Sequence, residues 1–453
     1  MVNTARSRAR DLGVRCYLWL YDRVRNGRLT WEAAAFYLLA RYLLKRAPIE
    51  GKLSLLATAY RRTFSPSLQR LMERRLAPWL QPATASIWRE KRIGWSRYER
   101  DLANKTLQKS LILKAPRPGG EKGVLYVSFE VNWLRLLTHY NVQQLLDEYY
   151  FVAASSSSPP DFRAHWALAH LTPDPIFCQV SNQGEVAQHR RLPHNILPLP
   201  LMASDWINPD YYAPRPHASR EIDILMVAGW SRIKRHWLLF RALRRMRKDL
   251  RVVLIGQDMD GRTADAVYRD AAAYGVAGRL EFVRDASIDL VSTYQCNSKV
   301  SIVLSRREGS SIVVTESLFA DAPVAMAYNA HIGSRAYINA QTGTLVNAER
   351  MSRDLSRFVE ESASYAPRAW ALKHIACVQS TERLNAALRA DSEGRGLPWS
   401  EDIKSFCWRP DPIYLHRDDT LVMAPAYAHL AERHGIEVAG QRPAPASPRR
   451  AEP

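Results

Sequence analysis

Lys299-Val-Ser-Ile-Val-Leu-Ser-Arg-Arg-Glu308-Gly309-Ser310-Ser311-Ile-Val-Val-Thr-Glu316-Ser-Leu-Phe-Ala320 is the stretch on which the reading of the fold turns. Val300 to Leu304 is an apolar run of strand length. Arg306 to Ser311 is polar and rich in small residues, hence a loop, and Ile312 to Ala320 begins a helix. A strand, a small-residue loop and a helix start bring backbone N–H groups and the positive end of a helix dipole to one point. Such a point suits a phosphate or the oxygens of a sugar. Glu308 and Glu316 frame seven residues there, and their carboxylates can accept hydrogen bonds from the vicinal hydroxyls of a pyranose or a ribose.

Working outward, Ile224–Ala228, Val252–Ile255, Leu280–Val283, Val324–Met326 and Thr344–Val346 read as further strands. Helices at His236 to Arg247 and Thr263 to Tyr274 fall between them. Upstream, Gly123 to Phe129, Tyr149 to Ala154, Pro175 to Val180 and Asn195 to Pro200 also read as strands, with a helix running to Asp147. Alternating strands and helices imply parallel α/β layers, here in two successive halves. Ahead of them the chain reads as helical. Trp31 to Leu44, Leu53 to Thr63 and Leu68 to Leu80 are amphipathic, with Pro48, Pro66 and Pro78 between or at the ends of these stretches. Pro116-Arg-Pro-Gly-Gly120 reads as a linker. The expected segments are a basic helical part (1–117), an N-terminal α/β domain (118–215), a C-terminal α/β domain (216–380), a helical return (381–440) and a disordered Pro/Ala/Arg tail (441–453).

With 453 residues the chain can bury about two or three cores. Cys16, Cys178, Cys296, Cys377 and Cys407 are scattered without a Cys-x-x-Cys pair, which argues against a disulfide scaffold or a zinc site and for a reducing compartment. No apolar run of ~20 residues suggests a membrane span, and the N-terminus lacks the pattern of a signal peptide. A cytoplasmic location is expected. Net charge is +19, and residues 1–117 hold 25 Lys/Arg against 8 Asp/Glu, or +17 of it. That concentration fits a solvated helical surface, or docking on an anionic membrane (here the inner face of the cytoplasmic membrane) or on an anionic lipid-linked or polymeric acceptor. Nucleic acid is not expected, since no zinc-finger, RRM or helix-turn-helix pattern is legible.

The opening stretch, continued as Asp321-Ala-Pro323-Val-Ala-Met326, then Gly333 and Tyr337-Ile-Asn-Ala-Gln-Thr-Gly343-Thr-Leu-Val346, resembles the C-terminal domain of family 4 retaining nucleotide-sugar glycosyltransferases (glycosyl transferases group 1). Upstream the resemblance takes in Ile224-Leu-Met-Val-Ala-Gly229 and Val252-Val-Leu-Ile-Gly256. It covers residues 220–380 well, 120–215 loosely and 1–115 not at all. It implies a GT-B fold, meaning two Rossmann-like α/β domains with a donor cleft between them, here with an N-terminal helical extension. It also implies retaining, metal-independent transfer from a nucleotide-sugar donor to a hydroxyl of a glycan or lipid-linked acceptor, as in cell-surface polysaccharide synthesis.

On the same resemblance Glu308 is the catalytic candidate, contacting the transferred sugar, and Glu316 would hold the ribose hydroxyls. Backbone N–H groups of Gly309, Ser310 and Ser311 would face the sugar and the distal phosphate. In Trp230-Ser-Arg232-Ile-Lys234-Arg235-His236, Trp230 stands where the family has an arginine. Lys234 or Arg235 fills the place of the family's lysine, and Arg232 is the candidate for the missing guanidinium. Basic residues at a helix start oppose its dipole unless an anion lies there. No cofactor or metal is expected. Asp258-Met-Asp260 spells a metal-binding Asp-x-Asp but precedes Gly261, where a turn is the simpler use. Ser128 to Trp133 lacks the glycine-rich loop that the family usually places there. His139, His165 and His170 are candidate acceptor-side bases, though a packing role is the plainer reading of each. Two other functions stay open: a phosphorylase-like GT-B enzyme using orthophosphate, and a catalytically silent sugar-nucleotide or polyanion-binding module.

Overall fold

The computed structural model describes residues 2–440 apart from 45, 156 and 158, and the expected tail at 441–453 lies outside the described residues. The chain forms two compact units, each from two separated stretches: 34–206 with the chain from 377 onward, and 1–33 with 207–376. The basic segment 1–117 is therefore not one body, because it is shared between the two units. Nor does the stretch after 380 stand alone.

The unit containing residues 34–206 is built on five strands: β1 (Ser110–Lys114), β2 (Gly123–Ser128), β3 (Tyr149–Ala154), β4 (Ile176–Gln179) and β5 (Ile196–Leu199), in that spatial order. β2 to β5 run parallel and β1 joins antiparallel to β2. Every residue of β2 and β3 is buried, as in a parallel sheet covered on both faces. Leu53, Leu56, Met72 and Leu76 of the helices Ile49–Arg62 and Pro66–Leu76 join the same core. The expected linker at Pro116 to Gly120 is instead the tip of the β1–β2 hairpin, with Arg117 N–H donating to Glu121 O at 2.9 Å. Beneath it Lys114 is buried, 2.5 Å from Glu121 and with its ammonium 3.6 Å from the Trp399 ring centre.

The other unit carries β6 (Ile222–Val227), β7 (Val252–Gly256), β8 (Leu280–Arg284), β9 (Ser298–Val303), β10 (Val324–Ala327) and β11 (Gly343–Val346). All six are parallel, in the order β11-β10-β9-β6-β7-β8. The mixed α/β class with an N-terminal helical region is as expected, and each anticipated strand lies within two residues of its place. The N-terminal helix Val2–Asn26 packs on this unit, where Leu18 shares a core with Trp237, Val267 and Ala271. Among the described residues no helix is long and apolar enough to cross a membrane.

In the 34–206 unit the remaining pair, β12 (Phe406–Trp408) and β13 (Pro412–Tyr414), forms a small hairpin. Its Phe406 stacks on Trp206 at 4.3 Å between ring centres.

Candidate functional site

In the six-stranded sheet the strand order reverses between β6 and β9, which are neighbours although two strands separate them in the chain. The crevice beyond the carboxyl ends of strands at such a reversal is where open α/β sheets bind ligands. The loop after β6 carries Trp230 to Arg235, and the loop after β9 carries Arg306 to Ser311. They meet through Lys234, whose Nζ donates to Glu308 Oε1 at 2.6 Å. Both side chains are partly exposed, 18% and 15%, so the pair stays open to a ligand.

The residues after Glu308 are held by backbone. Glu308 N–H donates to His331 O (3.2 Å), Gly333 N–H to Gly309 O (2.7 Å) and Ser334 N–H to Ser310 O (3.2 Å). Ser311 takes a left-handed conformation (φ 56°) and turns the chain into helix Ile312–Phe319, a strained geometry for a non-glycine residue. The Ser311 side chain does not cap this helix and its first turn has no acidic residue. The hydroxyls of Ser311, Thr315 and Ser334 are buried without a hydrogen-bond partner, the condition of groups that a polar ligand would complete. Glu316, one turn into the helix, accepts from Gln295 Nε2 at 3.3 Å. Partial burial, with Arg307, Arg28, Arg335 and Arg306, biases the nearby His331 imidazole toward its neutral form, which marks a positive field beside the loop.

The three basic residues of the first loop have different surroundings. Lys234 faces Glu308 as described. Arg235, expected beside it as a donor ligand, has φ 58° and is 2% exposed. Its Nη2 donates to Asp22 at 3.0 Å and its Nη1 to Leu304 O at 3.1 Å. It is a buried counter-charge for the N-terminal helix and, so placed, offers an anion little. Arg232 lies over the rings of Tyr17 and Tyr21, 5.5 and 5.4 Å from their centres, so its guanidinium is stacked on the same helix. Asp22 also takes Asn26 Nδ2 at 3.0 Å and lies 3.8 Å from Arg306. Sequence reasoning missed Asp22, Tyr17 and Tyr21, since nothing local links them to a loop two hundred residues away.

Trp230 is buried, against His236 and Phe282. A Cβ at Gly256 would run into the Ala228 carbonyl and the Trp230 ring. An indole here is thus a core side chain with no cationic role. Asp260 accepts from Ser231 Oγ at 2.5 Å within a turn closed by Met259 and Arg262, in keeping with the turn reading of Asp258 to Asp260. The three histidines do not form a common site: His139 faces Leu102 O, His170 faces Leu80 O, and His165 is buried.

Residues 210–367, about a third of the chain, match the family described as glycosyl transferases group 1. That stretch lies within the six-stranded unit and holds Lys234, Glu308 and Glu316. The resemblance of the opening stretch is thereby borne out over those residues. No curated protein matches the chain.

Among solved structures the chain is similar to sucrose-phosphate synthase from Thermosynechococcus elongatus, at 15% identity over 60% of this chain and 74% of that one (TM-score 0.47). It is similar to the pneumococcal O-GlcNAc transferase GtfA in complex with UDP and GlcNAc, at 14% over 58% and 54% (TM-score 0.40). A third is HepE of Anabaena in complex with UDP and glucose, at 11% over 58% and 77% (TM-score 0.47).

Proposed function

We propose that the chain is a glycosyltransferase that moves a sugar from a nucleotide-sugar donor to a hydroxyl acceptor, with the six-stranded unit holding the donor. The contact between Lys234 and Glu308 carries the reading. In a nucleotide sugar the transferred ring and the distal phosphate share the bond that breaks. A cation for the phosphate and a carboxylate for the sugar hydroxyls must therefore lie within a few ångströms of each other, which is how these two side chains are placed at the strand-order reversal. The uncapped start of helix Ile312–Phe319 adds backbone donors for the same phosphate, and Glu316 is the candidate for the ribose.

Transfer is proposed to proceed with retention and without a metal. The acceptor oxygen bonds the anomeric carbon as the carbon–oxygen bond to phosphate breaks, and the acceptor proton passes to the departing diphosphate. Lys234 and the helix start then stabilise the leaving charge. A glycan or lipid-linked acceptor in cell-surface polysaccharide synthesis is the favoured partner, reached from the inner face of the cytoplasmic membrane. The test is a thermal-shift panel of UDP, GDP and ADP against orthophosphate. Stabilisation by one nucleoside diphosphate supports the transferase, and by orthophosphate alone the phosphorylase-like reading. A nucleotide response without any sugar transfer to a glycan panel leaves the silent binding module.

A further inference from the structure

Outside the donor site, the five-stranded unit buries three metal-ligating side chains from three different elements. His165 lies on helix Phe162–Leu168, Cys178 on β4 and His189 on helix Gln183–Arg190. One ligand atom from each falls within 4.8 Å of the others, and none of the three residues is more than 1% exposed. The Nδ1 of His165 faces Asp161 O at 3.0 Å, and that of His189 faces His194 Nε2 at 3.4 Å. The Nε2 atoms of both rings are buried and have no hydrogen-bond partner. Orphaned nitrogens at full burial are costly and call for an explanation.

We propose that His165 Nε2, Cys178 Sγ and His189 Nε2 bind a zinc-class divalent cation that pins the two helices to β4. Two imidazoles and a thiolate are the donor types that Zn²⁺ favours. Tetrahedral coordination spaces such ligand atoms roughly 3.3–3.6 Å apart, so atoms up to 4.8 Å apart close by as much as about 1.5 Å on binding. Nδ1 of His165 donating to a backbone carbonyl fixes the tautomer that leaves the Nε2 lone pair free for an ion, the usual arrangement behind a metal-bound histidine. The charges of Glu185 and Glu130 reach Cys178 and would offset that of the cation, while the thiol proton leaves to solvent on binding. Separations of 13 and 11 residues match no short zinc motif, so the cysteine pattern argued against a site that only the fold assembles. A second cluster, Glu148 with His429 and His434, is already satisfied internally, because both imidazoles lie within 3.2 Å of the carboxylate.

The experiment uses the full chain purified without chelator, and reads metal directly, so it is independent of the nucleotide assay. Elemental analysis is expected to give one zinc per chain, lost in Cys178→Ala while the circular dichroism spectrum is kept. Cobalt loaded into the apo-protein is expected to give a thiolate charge-transfer band that the same substitution abolishes. The wild-type cobalt spectrum decides the matter even where the variant folds poorly. Apo-protein that takes up no zinc and gives no such band overturns the proposal, as does zinc content unchanged in a folded Cys178→Ala.

Discussion

Lys234 and Glu308 are each other's counter-charge at 2.6 Å, so under the proposed function an incoming diphosphate would compete with a carboxylate for one ammonium and would set the carboxylate free for the sugar. Lys234→Ala is expected to weaken nucleoside diphosphate binding by about 1.5–3 kcal/mol, or ~10–150-fold, the range for a hydrogen bond to a charged group. Glu316→Ala should weaken it by a similar amount. Glu308→Gln should leave nucleotide affinity nearly intact and depress turnover, and titration calorimetry beside a transfer assay separates the two effects. Arg235→Ala belongs to a different class. It removes the closest cation from the buried Asp22 carboxylate, which keeps only Asn26 and the more distant Arg306, so a stability loss of up to about 3–5 kcal/mol is expected in denaturant unfolding. The sequence could not tell Lys234 from Arg235. Which of the two reaches the crevice depends on a left-handed backbone at 235 and on an aspartate 213 residues away. His236 supplies a pH test. Burial first, then Arg262 and Lys234, pull its imidazole down to about 3, against about 6.5 in an unfolded chain. The unfolded state therefore takes up the proton first as pH falls. Stability is full above pH about 6.5 and is lost progressively toward pH about 3. His236→Asn should flatten that slope between pH 7 and 4, and identical slopes would refute the assignment.

At the level of single elements, helix Val2–Asn26 has two working faces. Leu18, Asp22 and Asn26 turn inward, while Leu12, Leu20 and Val24 are more than half exposed, at 56%, 55% and 57%. With Cys16 these repeat at every fourth position, and Arg8, Arg10, Arg23 and Arg25 are exposed around them. An apolar stripe edged by arginines suits a helix lying in the plane of an anionic bilayer, where each nearby basic residue adds roughly 1 kcal/mol. Sedimentation with anionic vesicles at low salt is expected to retain the chain, and replacing Leu12, Leu20 and Val24 together by serine to release it. Equal retention of the variant, or equal binding to neutral vesicles, would reject the role. Removing the first 119 residues is a poorer test, because it would also delete β1. That strand escaped the sequence reading for a physical reason. Ser110 to Lys114 is short, ends in a lysine buried by Glu121 and Trp399, and is followed by a Pro/Gly run that is equally at home in a linker or a hairpin. The central parallel strands were legible because burial on both faces leaves near-continuous apolar runs, as in β2, β3 and β7.

For the whole molecule, the two α/β halves could be read from the order of strands, but not the way each half borrows a distant segment. The six-stranded unit takes residues 1–33 from the start of the chain, and the five-stranded unit takes the chain from 377 onward. A fragment of 207–376 keeps every strand of its sheet yet loses Leu18 from its core and Asp22 from Arg235. It is expected to be soluble only at low concentration, and to gain thermal stability when a peptide of residues 1–33 is added. No gain would mean that the helix contributes little to the fold. The same borrowing bears on synthesis. The N-terminal helix leaves the ribosome long before the sheet it docks on, and its apolar and basic surfaces must wait through the making of about two hundred residues. Neither unit is complete until residue 376 has been made, so folding domain by domain, the common course for larger chains, starts late here. An early resting place for that helix, on a chaperone or on a bilayer, would keep it from aggregating until its partner strands exist.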